Sequence, residues 1–129
     1  MVHNGVEYGL MQAYAEGFNL LHHKQEYHFD LHQVAEIWRY GSVVRSWLLD
    51  LVARALESDP ELTDASPAVP DTGEGRWMVI EAIERGCPLP VISQALETRV
   101  QSRDEVHFGE KMLTALRHQF GGHALKSEK

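Results

Sequence analysis

Residues 1–24 read MVHNGVEYGLMQAYAEGFNLLHHK. From about Val2 to Lys24, the residues Val6, Leu10, Ala13, Tyr14, Gly17, Leu20 and Leu21 recur at three- and four-residue spacings, the period of one helix face. The stretch therefore predicts a long, largely buried helix around which the rest of the chain packs. Glycines at 5, 9 and 17 each weaken such a helix by about 1 kcal/mol relative to Ala. Their presence predicts close approach by another backbone or a ligand.

The same period continues downstream. Asp30 and Gln33 have capping-box spacing ahead of Val34, Ile37 and Trp38, which predicts a second helix ending at Gly41. Ser42 then caps a third, in which Val43, Val44, Trp47, Leu48, Leu51, Val52, Ala55 and Leu56 form a broad apolar stripe, the expected central core helix. Residues 57–75 hold Pro60, Pro67, Pro70, Gly73, Gly75 and several acids, a composition that breaks helices and predicts one long exposed loop. Three further helices are expected: Arg76 to Arg85 closed by Gly86, Pro90 to about Ser102, and Asp104 or Glu105 to about Phe120 stopped by Gly121-Gly122. Strand alternation, internal repeats and a GxGxxG stretch are all missing, which argues against a parallel sheet with a dinucleotide site. The expectation is one all-α domain of about six helices spanning residues 1–129.

Composition narrows the function classes. The 129 residues suit one domain, with 43% hydrophobic and 24% charged residues, close to globular averages. Charges interrupt every apolar stretch well before the roughly 20 residues of a bilayer span, and no basic, then apolar leader opens the chain. We read a cytoplasmic protein with no membrane partner. A formal charge of -7 argues against a nucleic-acid surface, so an anionic ligand must be held by a local group of cations. Cys87 is the lone cysteine, expected as a small packed side chain beside Pro88. Histidines 22, 23, 28 and 32 are read as solvated, because Asp30 marks a helix start between His28 and His32 and HExxH is missing. No metal is expected.

The polar residues at the start of the first helix are candidates for chemistry. His3 and Glu7 lie four apart, as do Asn4 and Tyr8, so imidazole, carboxylate, amide and phenol project from adjoining strips of one surface. Together they can hydrogen-bond a polyhydroxylated acid, with Glu7 the natural proton donor or acceptor. Helix starts also collect Asn and Glu for capping and dipole reasons, and spacing alone does not separate the two readings.

Motifs along the chain separate them. MVHNGVEYG at 1–9 is followed in order by W-x-x-G-S-V-V-R-S at 38–46, G-x-G-R-W at 73–77, P-L-P-V-I-x-x-A-L-x-x-R at 88–99 and R-x-x-F-G-G-H at 117–123. Over nearly its whole length the chain thereby resembles the C-terminal helical domain of decarboxylating 6-phosphogluconate dehydrogenases, in their compact bacterial-type form. The resemblance implies that His3 and Asn4 contact the sugar acid near its reacting carbons and that Glu7 protonates the enediol left when carbon dioxide departs. It further implies that Tyr8, Arg76 and Arg99 bind the phosphate end, and that Arg117 and His123 reach into the site of a second subunit in an obligate homodimer. Guanidinium groups suit such work because they stay charged and offer paired donors to phosphate oxygens. Taken singly, each Arg also has a plain solvated or helix-end reading, and Arg45 is read as structural.

Two departures bear on activity. In that family a general-base lysine immediately precedes the MVHNG-like segment, which opens this chain at Met1, and an NADP-binding Rossmann domain precedes that. The expectation is a chain inactive alone, binding no cofactor itself and supplying substrate contacts to an NADP-dependent enzyme of the pentose phosphate pathway that yields ribulose 5-phosphate. A fragment, a split-gene product with a separate Rossmann partner and a diverged remnant are the three readings of its start. Met78 stands where the family usually has a hydroxyl residue. The alternatives are a non-catalytic helical dimerisation module, or the helical domain of another β-hydroxyacid dehydrogenase.

Overall fold

A computed structural model describes residues 1–122 and 124. Six α-helices follow one another: α1 (Val2–His23), α2 (Leu31–Gly41), α3 (Trp47–Ser58), α4 (Glu74–Glu84), α5 (Pro90–Gln101) and α6 (Phe108–Gly121), with one 3-10 turn at Gln25–Tyr27. No strand occurs among the described residues. The all-α expectation holds, with the long helix first.

α1 is the spine of two small cores. Its C-terminal half sets Phe18 against Ala35 of α2 and Leu49, Ala53 and Leu56 of α3. Its N-terminal half sets Tyr8 against Ala95 and Leu96 of α5, with Val79 of α4 alongside. Close packing explains one of its three glycines: a Cβ at Gly5 would overlap Met78 Sδ and lie 3.2 Å from Met78 Cβ, whereas one at Gly9 would make only ordinary contact with Val91 at 3.5 Å. Nothing lies within 4 Å of a Cβ at Gly17, so no backbone of the same chain approaches it.

Helix ends follow local chemistry in most places. The Asp30 side chain accepts from the Gln33 amide at the start of α2, Pro90 opens α5, and Gly86 and Gly122 take the left-handed conformation that ends α4 and α6. Three boundaries move. Ser46, not Ser42, caps α3 by accepting from the Leu49 amide at 3.1 Å. Ser42 instead closes α2, donating to the Trp38 carbonyl, while Val43 and Val44 lie exposed in the connection. The choice is made across the fold, because the Tyr14 hydroxyl reaches Ser46 Oγ at 2.8 Å and the Val44 carbonyl. α4 starts at Glu74 rather than Arg76, and α6 at Phe108 rather than Asp104, since Asp104 Oδ1 holds the amides of Val106 and His107 in a turn. Cys87 is exposed rather than packed, on the bend after Gly86.

The expectation that α1 is largely buried is corrected within a single chain. Only Gly5, Tyr8, Gly9 and Phe18 are buried on it, while Val6, Leu10, Met11 and Leu20 face outward. The helix has apolar residues on more sides than one chain covers.

Candidate functional site

The loop between α3 and α4 carries the residue that organises the site. Asp71 begins an Asx turn, accepting from the Gly73 amide at 2.9 Å through Oδ1. That turn places Gly73 at φ 94°, a backbone conformation suited to glycine, and starts α4. The same carboxylate accepts from the Tyr8 hydroxyl at 3.1 Å and from Arg76 Nη2 at 2.6 Å. Its side chain has no exposed surface, whereas that of Arg76 is half exposed. The Gly73 amide, the Tyr8 hydroxyl and the charges of Arg76 and Arg103 hold the Asp71 carboxyl below the ordinary carboxylate range, against the opposing effect of desolvation.

Arg99, from the last turn of α5, lies over the Tyr8 ring with its guanidinium carbon 3.6 Å from the ring centre. It donates to the Pro70 carbonyl at 2.9 Å and reaches Met11 Sδ at 3.6 Å. A flat cation stacked on a phenol and tied to a loop carbonyl is held in one orientation. Tyr8 in turn leaves room for nothing larger than glycine at 75, whose added Cβ would lie 2.5 Å from Tyr8 Cε2. Tyr8, Arg76 and Arg99, expected together at a phosphate end, are thus gathered by Asp71 and the 70–73 loop.

One turn toward the start of α1, His3 Nδ1 lies 3.1 Å from Asn4 Oδ1 and 3.9 Å from Glu7 Oε2. The Glu7 side chain is 41% exposed and that of His3 88%, so both remain available to a ligand. Arg117 is not brought to this place within one chain. It is exposed on α6, a helix with no buried residue. His123 lies outside the described residues.

Asp71 was not read from the sequence as a site residue. Its signal is Asp-x-Gly directly before the G-x-G-R-W stretch, an Asx-turn pattern inside a loop crowded with other acids. Met78, the departure from the family pattern, is buried and fills the space over Gly5. Among the described residues, no three His, Cys, Asp or Glu side chains gather as a metal site, and no helix is long and apolar enough to cross a membrane.

Fold and cluster together define a class: a small all-α domain that presents imidazole, amide and carboxylate groups at the head of its longest helix, with guanidinium groups packed beside it. Comparison with known families goes further. The family model described as 6-phosphogluconate dehydrogenase, C-terminal domain, matches residues 1–117, and the chain belongs to that family. It is 41% identical, over 99% of its length, to a Bacillus subtilis protein with a provisional 6-phosphogluconate dehydrogenase name, covering 43% of that protein. It is 46% identical, over 95% of its length, to the NAD(+)-dependent, decarboxylating 6-phosphogluconate dehydrogenase of Haloferax volcanii, covering 41% of it. With the decarboxylating enzyme of Caenorhabditis elegans it shares 36% identity over 79% of this chain and 22% of that one. The chain therefore spans less than half the length of these relatives.

Proposed function

We propose that these 129 residues form the substrate-binding and dimer-forming part of a decarboxylating 6-phosphogluconate dehydrogenase. The observation that carries this reading is the convergence of Arg76, through Asp71, and Arg99, through its stack, on Tyr8, the residue that follows Glu7 on the helix that also carries His3. Arg76 and Arg99 grip the phosphate of the substrate, and Tyr8 adds a hydroxyl. His3 and Asn4 hold the hydroxyl and carboxylate end. Oxidation of the β-hydroxyl gives a β-keto acid, whose carboxyl group leaves as carbon dioxide. Glu7 delivers a proton to the carbon that bore it, converting the enediol to ribulose 5-phosphate.

A nicotinamide dinucleotide is bound by a glycine-rich turn between strand and helix. The described residues are helix and loop only, so they do not fit that group, and the hydride step is not assigned to them. In our reading it belongs to a Rossmann domain acting with this one. NADP is the cofactor the resemblance implies. The Haloferax volcanii relative is NAD(+)-dependent by name, and that selection is made at the adenosine ribose, away from these helices.

The second part of the proposal is a homodimer in which Arg117 and His123 complete the site of the partner. Open surface supports it. Monomeric proteins of this mass expose about 7,000 Å², whereas this chain exposes 10050 Å². The excess, about 3,000 Å² per chain or about 6,000 Å² over two, is at the upper end of obligate dimer interfaces, which are counted over both partners.

Calorimetric titration tests the substrate assignment. The chain should bind 6-phosphogluconate more tightly than gluconate by tenfold or more, and Arg99→Ala should remove that preference. Equal binding of the two acids would move the assignment to an unphosphorylated β-hydroxyacid, and no binding of either to the intact dimer would leave a dimerisation module.

A further inference from the structure

The motif that carries Arg99 ends at that residue, and the next arginine of the chain lies one turn further on. Arg103 follows Arg99 by four residues, and the backbone between them keeps its helical course. Ser102 has φ -60° and ψ -16°, and the Arg103 amide donates to the Val100 carbonyl at 3.2 Å. Side chains four apart on such a turn share one face. Arg103 is exposed. Among the described residues, no hydrogen bond or ion pair engages its guanidinium.

The 69–71 loop is seated on this turn. The Val69 amide donates to Ser102 Oγ at 3.0 Å, Ser102 Oγ donates on to the Arg99 carbonyl at 2.8 Å, and Arg99 Nη1 donates to the Pro70 carbonyl at 2.9 Å. Asp71 is the next residue, so the carboxylate that accepts from Tyr8 and Arg76 lies within the field of Arg103 as well. Three guanidinium groups, from α4, the last turn of α5 and the turn after it, are thereby gathered along one loop of three residues.

Charge decides what such a gathering suits. A phosphate monoester carries about 1.5 to 2 negative charges at neutral pH. Arg76 and Arg99, less the buried carboxylate of Asp71, supply one net positive charge, which serves a carboxylate or a sulfate ester as well as a phosphate. Arg103 raises the sum to two.

We propose that Arg103 is a third guanidinium of the phosphate end, and that it sets the preference for a doubly charged phosphate ester over a singly charged anion. Held by no partner of its own among the described residues, it takes phosphate oxygens without giving up a bond, whereas Arg76 and Arg99 present the donors left over from Asp71 and Pro70. This deepens the substrate reading above and rests on it.

Calorimetric titration of the whole chain tests the assignment, with 6-phosphogluconate, gluconate and the 6-sulfate ester of gluconate as probes. Arg103→Gln should weaken 6-phosphogluconate binding by about tenfold to a hundredfold, the worth of a charge-assisted contact, and leave gluconate within about twofold. It should also narrow the preference for phosphate over sulfate ester, and Arg103→Lys should restore most of both. Arg54→Gln, which removes an exposed charge from α3, should move none of these affinities. If Arg103→Gln leaves 6-phosphogluconate binding unchanged while Arg99→Ala removes the phosphate preference, Arg103 stands outside the site and the substrate reading survives. An equal loss for gluconate would make Arg103 a support of the fold instead of a phosphate contact. A Lys variant no better than Gln, or an unaltered ratio of phosphate to sulfate ester, would refute the charge match. A parent chain that binds gluconate as tightly as 6-phosphogluconate would remove the substrate reading, and the role of Arg103 with it.

Discussion

Asp71→Ala should unfold the chain more easily by an amount that the contacts of Asp71 specify. The substitution strips acceptors from the Tyr8 hydroxyl and the Gly73 amide, each bonded to a buried carboxylate. Hydrogen bonds to a charged partner are worth about 1.5 kcal/mol at the low end of their range. The Arg76 ion pair adds only about 0.5 kcal/mol, because its guanidinium is half exposed and well screened. Water reaching the opened loop recovers part of this, leaving a loss of about 2–3 kcal/mol, or roughly 8–12 °C in Tm at this chain length. The effect should also depend on pH. Folding holds the Asp71 carboxyl below its ordinary range, so its contribution is whole above the unfolded value of about 3.9 and fades as acid passes through the lower folded one. Thermal melts of both proteins at equal concentration, from pH 7 down into the acid range, should show the gap closing on acidification. Tyr8→Phe should lose about 1 kcal/mol and couple to Asp71→Ala by a similar amount in a double-mutant cycle. A gap under about 0.5 kcal/mol at pH 7, or one that acid leaves unchanged, would refute the role given to this carboxylate.

Gly5→Ala should destabilise the chain by about 1–3 kcal/mol through overlap with Met78, and in urea melts it should cost much less when made in a Met78→Ala background, where the clashing side chain is gone. Ser46→Ala removes the cap of α3 and a partner of Tyr14, so about 1–2 kcal/mol should go. Ser42→Ala should cost less by the same measurement. Glu7→Gln, in the full-length enzyme, should lower kcat far more than it raises KM, and a change confined to KM would contradict a proton-donating role.

Most of the fold was legible because the chain writes its helix ends in local chemistry. Asp30, Pro90, Gly86 and Gly122 each act through their own backbone or a neighbour three residues away, and each is where the pattern put it. Ser42 against Ser46 was not legible, since both are good caps and the vote is cast by Tyr14, some thirty residues earlier in the chain. The same distinction divides the site. Tyr8, Arg76 and Arg99 could be named from motifs, and they do meet. Asp71, which joins two of them, is one acid among several in a loop without periodicity, and only the tertiary structure shows that its side chain turns inward. Periodicity marked α1 as an apolar helix on many sides, but period alone does not say which molecule covers each side.

That last gap ties the site to the assembly. A helix of 22 residues is longer than one small core can cover, and this one is divided: Tyr8 anchors it to α4 and α5, Phe18 to α2 and α3. Met11 lies between the two anchors, on an apolar groove that α1 forms with α3 and the loop after it, and against Arg99 at once. Arg99 is also the guanidinium stacked on Tyr8, so displacing Met11 shifts a cation of the site without altering any group that would touch substrate. Met11→Ala is therefore the substitution that tells a coupled domain from two independent surfaces. If groove and site are joined through this side chain, it weakens ligand binding and dimerisation together. Were the two affinities to move separately, the groove and the phosphate end would be neighbours with no physical link.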